Sequence, residues 1–369
     1  MVKEIKELKL EENKKLYIDN ERIEPLKKEL EDFLKEESQM NTFDFSKKVM
    51  ESLEIKTNNT IEGYLDDIVS IENIIKNSKY ITNEDKRNRI INLYKGYQYI
   101  LKQKPINKDT LKELYAILSK DLLSEYDLSN MGPYYRDGDV YIWYSDKIHI
   151  EPDTGLSKEK LDYYMENYFN YLNNKKEETM TENYIKSQIA HFYFVYIHPY
   201  FDLNGRCART TSMWHLLNNK AYPYIIFNRA INSSKNEYYK MIRKVEKERI
   251  INSFIEFIMI NTKIELEKGY IIQAIKGAYN EKFTSLEFQT ILDILSIKGL
   301  KTLKDFTYLY NSKNEKKKVK EIYDEMILPL LDKNVLVKTR DTKNNNNFLF
   351  EINKGKLDIN EEKVRRINF

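Results

Sequence analysis

The stretch Ala190–Ile197, AHFYFVYI, is apolar or aromatic at every position and is followed at once by His198-Pro199. A run of that length and content reads as a core helix, buried on all its faces. Pro199 cannot continue it, so the chain must turn there and leave His198 at the end of a buried element. PYFDLNG then reads as a loop closed by Gly205, and a second helix is expected from about Arg206 to about Asn219. The fold is therefore constrained to set two helices around a polar loop at the edge of its core. That loop is dense in chemistry: HPYFDLNGRCAR, His198 to Arg209, holds a His, an Asp, an Asn, a Gly and two Arg.

The rest of the chain fits a helical frame. Among 369 residues there are 10 Gly and 7 Pro, and so few breakers among abundant Lys, Glu, Leu and Ile argue for a mainly helical protein. The 29 Tyr read as amphipathic filling of helix faces. Residues 1 to about 40 carry a polar, helical pattern. Helical pattern resumes over about 43–75, interrupted at TNNTIEG, Thr57 to Gly63. Two helices are expected at 84–104 and 108–124, split at Pro105 and Asn107, and others at about 157–174, 181–197 and 236–275. GPYYRDGDVYIWYSDKIHIEP, Gly132 to Pro152, alternates instead and reads as a β-hairpin. The last ninety residues place helices at 285–298, 302–311 and 317–333 before VLVKTRD, an Asn344–Asn347 turn and FLFEI, a winged-helix-like pattern.

Composition narrows the function. Lys plus Arg number 61 against 58 Asp plus Glu, a net charge of +3, which does not suggest a general polyanion binder. DNA is an unlikely partner also because TLKDFTYLYN, the segment at 302–311, has one Lys and one Asp. One cysteine, Cys207, excludes internal disulfides and Cys-based zinc clusters, and four His make a His-rich metal site unlikely. The charged N-terminus has no signal-peptide core and no stretch approaches a membrane span, so a soluble, cytoplasmic protein is expected.

The loop's residue types suit phosphate chemistry. A helix N-terminus offers unpaired N–H groups and partial positive charge. Arg206 and Arg209 lie three apart and share one face of that helix. Two guanidinium groups beside bare amides suit a di- or triphosphate. Asp202 is an oxygen ligand for Mg²⁺, Asn204 a donor to a phosphoryl oxygen, and His198 a base for an incoming hydroxyl.

His198, Asp202, Asn204, Gly205, Arg206 and Arg209 together resemble the signature of Fic-domain proteins, His-x-Phe-x-Asp/Glu-Gly-Asn-Gly-Arg-x-x-Arg. The likeness spans about residues 45–265. Two positions depart from it. Tyr200 replaces Phe, and Leu203 replaces the first Gly, where a branched residue does not easily take positive φ. The resemblance implies a mainly α fold: a Fic-type helical bundle with a β-hairpin flap, followed by a winged-helix-like α+β C-terminal domain. The implied domains are an N-terminal helical extension at 1–40, a catalytic domain at 41–278 and the C-terminal domain at 279–369. The implied activity is transfer of AMP from ATP, with Mg²⁺ held by Asp202, to a Ser, Thr or Tyr hydroxyl activated by His198. Gly205 favours nucleotidyl over γ-phosphate transfer, since the kinase-like branch that the motif also resembles has Lys there.

TNNTIEGY, Thr57 to Tyr64, resembles the family's inhibitory helix, with Glu62 and Gly63 matching and Asn58 at the Ser/Thr position. In the family that Glu takes the second motif arginine, here Arg209, from the γ-phosphate. Read alone, Ile-Glu-Gly is a helix C-terminus capped by Gly63. The hairpin residues Asp139, Val140, Tyr141 and Ile142 are expected to align a target segment by strand addition, and Tyr239 to border the nucleotide. Rival readings are an AMP-removing hydrolase on the same site and a non-catalytic, nucleotide-sensing winged-helix regulator. The target protein, self-modification and homo-oligomerisation are left open.

Overall fold

The computed structural model describes residues 2–11, 14–38, 47–142, 153–174, 178–279, 301–312, 314–332, 336–340 and 348–352. It is mainly helical, and its contacts divide it into two compact units, Met1–Lys263 and Ile264–Phe369.

The first unit is built around α8 (Met180–Ile197). Most of that helix is buried, its apolar C-terminal run Ala190–Ile197 together with polar residues of its first half such as Asn183, Ser187 and Gln188. It starts in a capping box between Thr179 and Glu182. It packs between α7 (Leu161–Asn173) and α9 (Asn204–Asn218). Helices α4 (Glu84–Ile100) and α5 (Lys108–Ser119) lie against α9. Helix α2 (Lys47–Ile61) packs on α3 (Ile68–Asn77), α4 and α10 (Phe227–Ser233). Short α6 (Glu125–Ser129), then α11 (Lys235–Glu248) and the part of α12 (Asn252–Tyr279) up to Lys263, complete the helical frame.

The first residues are not helical. Strands β1 (Val2–Lys9) and β2 (Lys15–Asp19) form an antiparallel hairpin, and the helix α1 begins only at Asn20 and ends at Ser38. The sequence misleads because Ile5 and Leu8, both buried, are spaced three apart as on a helix. An irregularity in the pairing between Glu4 and Lys9 lets a strand bury that spacing. Tertiary contacts then fix the strand form. The Tyr193 hydroxyl donates to the Lys9 carbonyl (2.7 Å), Tyr164 to the Leu10 carbonyl (3.1 Å), and Tyr196 accepts from the Glu11 N–H (2.7 Å).

A second difference concerns TNNTIEG. The helix does not break at Thr57 but runs to Ile61, and the interruption falls between Glu62 and Asp67. Thr57 and Thr60 donate back to the carbonyls of Leu53 (2.8 Å) and Lys56 (2.9 Å). Those two bonds stay within the helix, and Asn58 and Asn59 spend their side chains on Tyr97, Arg209 and Asp66, so neither asparagine turns back on the local backbone. The expected flap hairpin is present at its base, where β3 (Tyr141–Ile142) pairs antiparallel with β4 (Asp153–Thr154); residues 143–152 lie outside the described set.

The second unit is a small α+β assembly. Strands β5 (Lys301–Thr302), β6 (Leu336–Arg340) and β7 (Phe348–Ile352) form an antiparallel sheet in the order β5-β7-β6. Helix α13 (Leu303–Asn311) and a last helical run, α14, of Val319–Ile322, a π turn at Tyr323–Ile327 and Leu328–Asp332, supply Phe306, Tyr310, Ile322 and Met326 to its core with Phe350. The helix expected at 285–298 and the Asn344–Asn347 turn lie outside the described residues.

Candidate active site

His198 ends α8 in the left-handed conformation (φ 52°, ψ 60°), its N–H donating to the Phe194 carbonyl at 3.0 Å. The loop that follows is shaped from inside by Asn204. The Asn204 side chain accepts from Tyr200 N–H (3.0 Å) and donates to the Tyr200 carbonyl (2.7 Å). The Tyr200 ring lies flat on Tyr115, centroids 3.5 Å apart at 6°. Asn204 thus holds the loop's shape in this state. Leu203 sits at φ 66°, the conformation a glycine would take without cost. The first helical bond of α9 runs from Cys207 N–H to the Leu203 carbonyl (2.9 Å). The N–H groups of Asn204, Gly205 and Arg206 therefore precede the ladder and mark the positive end of α9.

That end is covered by a carboxylate. Arg209, buried to 2% side-chain exposure, donates from Nη2 to Glu62 Oε1. It also donates from Nε (3.1 Å) and Nη2 (2.8 Å) to Asn58 Oδ1. A Cβ on Gly205 would stand 3.0 Å from both Glu62 Oε1 and Arg209 Nη1, so the pair lies directly over the first turn of α9. Burial alone would raise the Glu62 carboxyl; Arg209, with Arg206, overrides it and holds the group below the ordinary carboxylate range.

Glu62 is placed by the end of α2. Gly63 (φ 93°) donates to the Thr60 carbonyl and Tyr64 N–H to the Asn59 carbonyl, each at 3.0 Å, the paired bonds of a left-handed C-cap. The helix cap and the arginine partner are thus the same short segment. Helix α2 itself is core: Glu54, Ile55, Asn58, Asn59 and Ile61 are fully buried, and Glu54 accepts from Arg229 Nε at 2.8 Å. Arg206, also buried, lies with its Cζ 5.6 Å from the Tyr64 ring, whose centroid is 3.5 Å from Arg89 Cζ.

The His198 ring donates from Nδ1 to the Val195 carbonyl (3.3 Å), which leaves the lone pair on Nε2. Burial, opposed by the Val195 bond and aided by Arg136, lowers its pKa to about 4, so the imidazole is neutral at physiological pH. Asp202 is exposed, and one of its oxygens accepts from Leu203 N–H at 2.6 Å. Among the described residues no group of three His, Cys, Asp or Glu forms a metal cage. A lone carboxylate at the positive end of a helix does suit Mg²⁺, which is usually shared between one or two carboxylates and a substrate's phosphates.

Other expected positions are placed around this centre. Tyr239 is half-buried on α11, with Lys235 Nζ 6.0 Å from its ring centroid. Asp139 and Tyr141 are exposed, Val140 is buried, and Ile142 pairs with Asp153. The structure also brings in residues that sequence reasoning passed over. Arg136, beside the DGD turn, reaches the His198 carbonyl from Nε at 2.9 Å. His191 Nε2 meets the Tyr238 hydroxyl at 2.8 Å inside the core, which assigns Tyr238 to packing. Only the PYYRDGD context of Arg136 could have signalled a role.

Residues 105–216 match the Fic/DOC family. The protein adenylyltransferase Fic of Drosophila mojavensis is 28% identical over 190 residues, 50% of this chain and 34% of the relative. That of Aedes aegypti is 27% identical over 213 residues, 56% of this chain and 39% of the relative. The chain thus spans little more than a third of the length of these curated relatives. A Fic family protein from Desulfovibrio desulfuricans G20, known from a crystal structure, shares the fold with a TM-score of 0.58 at 16% identity, over 90% of this chain and 95% of its own. No helix among the described residues is long and apolar enough to cross a membrane.

Proposed function

We propose, from the premise that the chain is a Fic-domain protein, that it transfers AMP from ATP to a Ser, Thr or Tyr hydroxyl of a target protein and that Glu62 restrains this activity. The observation that carries the reading is the position of the Glu62 carboxylate, bonded to Arg209 over the first turn of α9. A negative charge already occupies the place where a phosphate would sit, and a neutral histidine ends the adjoining helix.

In the active state the triphosphate takes that place. The leading N–H groups of α9, Arg206 and Arg209 bind its oxygens, and charge developing there is stabilised by donors already in position. Asp202 would hold Mg²⁺, which supplies neutralising charge and orients the phosphates. Nε2 of His198 takes the proton of the target hydroxyl. The hydroxyl oxygen bonds to the α-phosphorus, the bond from that phosphorus to the bridging oxygen breaks, and pyrophosphate leaves. The flap segment 139–142 is assigned to aligning the target backbone, and Tyr239 to the border of the nucleotide. Glu62 is read as a brake because its carboxylate is bonded to Arg209 over the first turn of α9. The C-terminal unit is assigned a winged-helix-like, protein-docking role, supported by the three-stranded sheet and by Tyr308, which is 76% exposed on α13.

Intact-mass spectrometry of the Glu62→Gly variant after incubation with ATP and Mg²⁺ tests the reaction type. The reading expects adenylyl adducts that are absent in Glu62→Gly/His198→Ala. Phosphoryl adducts would replace it with kinase chemistry, and adducts that survive loss of His198 would remove that residue from the role of base.

A further inference from the structure

We propose that Arg136 is a positioning residue that ties the base of the flap hairpin to the catalytic loop and thereby fixes the place of His198; this rests on the reading of His198 as the base. The side chain is buried to 2% exposure and its planar fork is spent on three backbone carbonyls. Nε donates to His198 O (2.9 Å), Nη1 to Gly138 O (2.5 Å) and Nη2 to Leu156 O. Its own N–H donates to Pro199 O at 3.0 Å. Three segments therefore meet on one residue: 136–138 and 155–156 of the hairpin base, and 198–199 of the loop. The arrangement has no slack, since a Cβ on Gly155 would stand 3.3 Å from Arg136 Nη2 and 2.5 Å from Val140 Cγ1.

His198 needs such a hold. A non-glycine residue in the left-handed conformation is strained, and it stays there only if its surroundings over-determine it. The fork on its carbonyl, with the Arg136 main-chain N–H on the next one, supplies that constraint. The bonds reach backbone rather than side chains, so what Arg136 fixes is the path of the chain through His198 and hence the aim of the ring. It also contributes charge. Among the described residues none of its hydrogen-bond partners is a carboxylate, and the guanidinium stays protonated. The charged group acting on His198 is Arg136 from the flap base, and Asp139 acts on Arg136 in turn. The guanidinium disfavours the imidazolium, in the same direction as burial.

The test uses Arg136→Gln and Arg136→Lys in the full chain, each alone and with Glu62→Gly. Four quantities are read: the thermal melt, the Kd for ATP with Mg²⁺, kcat for AMP transfer, and the His198 imidazole titration by NMR. Arg136→Gln is expected to lower kcat roughly 10- to 100-fold while the Kd for ATP stays within about twofold. It is also expected to move the His198 titration upward. Arg136→Lys keeps the charge but not the fork, so it should lower kcat with little movement of the titration. A folded Arg136→Gln whose kcat and titration match the parent overturns the proposal, as does a Kd that weakens in step with kcat. If Glu62→Gly transfers nothing, the transferase reading fails while the titration still decides Arg136: an upward shift supports it and an unmoved titration overturns it. If Arg136→Gln does not fold, Arg136→Lys decides, and an unchanged rate, or in a silent parent unchanged amide exchange over 198–203, refutes the tie.

Discussion

Replacing Glu62 with Gln removes one charge from a pair whose partner, Arg209, stays buried. Removing one member of a fully buried ion pair costs about 3–5 kcal/mol. Here the cost is smaller, for two reasons. The Glu62 side chain keeps 29% of its exposure, and Arg209 retains both bonds to Asn58. A value of about 2 kcal/mol follows for the nucleotide-free protein, or a fall in Tm of about 4–8 °C for a unit of this size. The same quantity should reappear with opposite sign in binding. If Glu62 is the proposed brake, a γ-phosphate must displace it from Arg209 in the wild type and need not in the variant. About 2 kcal/mol of avoided competition corresponds to roughly 30-fold tighter binding of ATP with Mg²⁺. Calorimetric melts and titrations of the two proteins measure both sides of this cycle. An unchanged melt together with an ATP affinity changed less than about twofold would mean that the pair does not compete with the nucleotide, and the reasoning would fail.

Three further outcomes follow from the geometry. As the proposed base His198 would act only when neutral, so kcat/KM in the Glu62→Gly background should be full at neutral pH and fall as pH drops through about 4; an acid limb near 6.5 would contradict the buried environment. Leu203→Gly should destabilise despite relieving the left-handed strain: strain costs about 1 kcal/mol, whereas deleting a leucine that is 4% exposed costs about 2–5 kcal/mol, and a denaturant melt showing a more stable variant would reverse that ranking. His191 and His215, both lowered to about 3 chiefly by burial, are neutral in the fold but charge in the unfolded chain below about 6.5. Stability should be full above that pH and, with His198 lowered to about 4 adding a third such group, fall by about 4 kcal/mol per pH unit between about 6 and about 4, and equal urea midpoints at pH 7 and pH 5 would refute the assignment.

The elements whose fate is decided locally were the ones legible in the sequence. An all-round apolar run ended by proline could only be a buried helix and a turn, so α8, the loop and α9 lie where expected. The Glu62–Arg209 pair was reachable through the spacing of two motifs, and the Gly63 cap that seemed a competing explanation turns out to deliver Glu62 to its partner. What the sequence hid was decided at long range. The N-terminal hairpin is built from good helix formers and takes its form from tyrosines nearly two hundred residues away. TNNT looks like a helix breaker until Asn58 and Asn59 find Arg209 and Asp66. Leu203 adopts a backbone conformation unfavourable to its residue type because burial of its side chain outweighs the strain. Arg136 escaped notice because nothing in a single sequence shows that one arginine will find three carbonyls.

Label transfer tests the central claim most directly. Wild type, Glu62→Gly and His198→Ala are incubated side by side with ATP labelled in the α-phosphate, and separately in the γ-phosphate, with Mg²⁺ and with lysate proteins as acceptors. Strong α-label on protein with Glu62→Gly, weak label with wild type, none with His198→Ala and no γ-label throughout is the predicted result. Silence of Glu62→Gly with both labels, in a protein that still binds ATP, would contradict it.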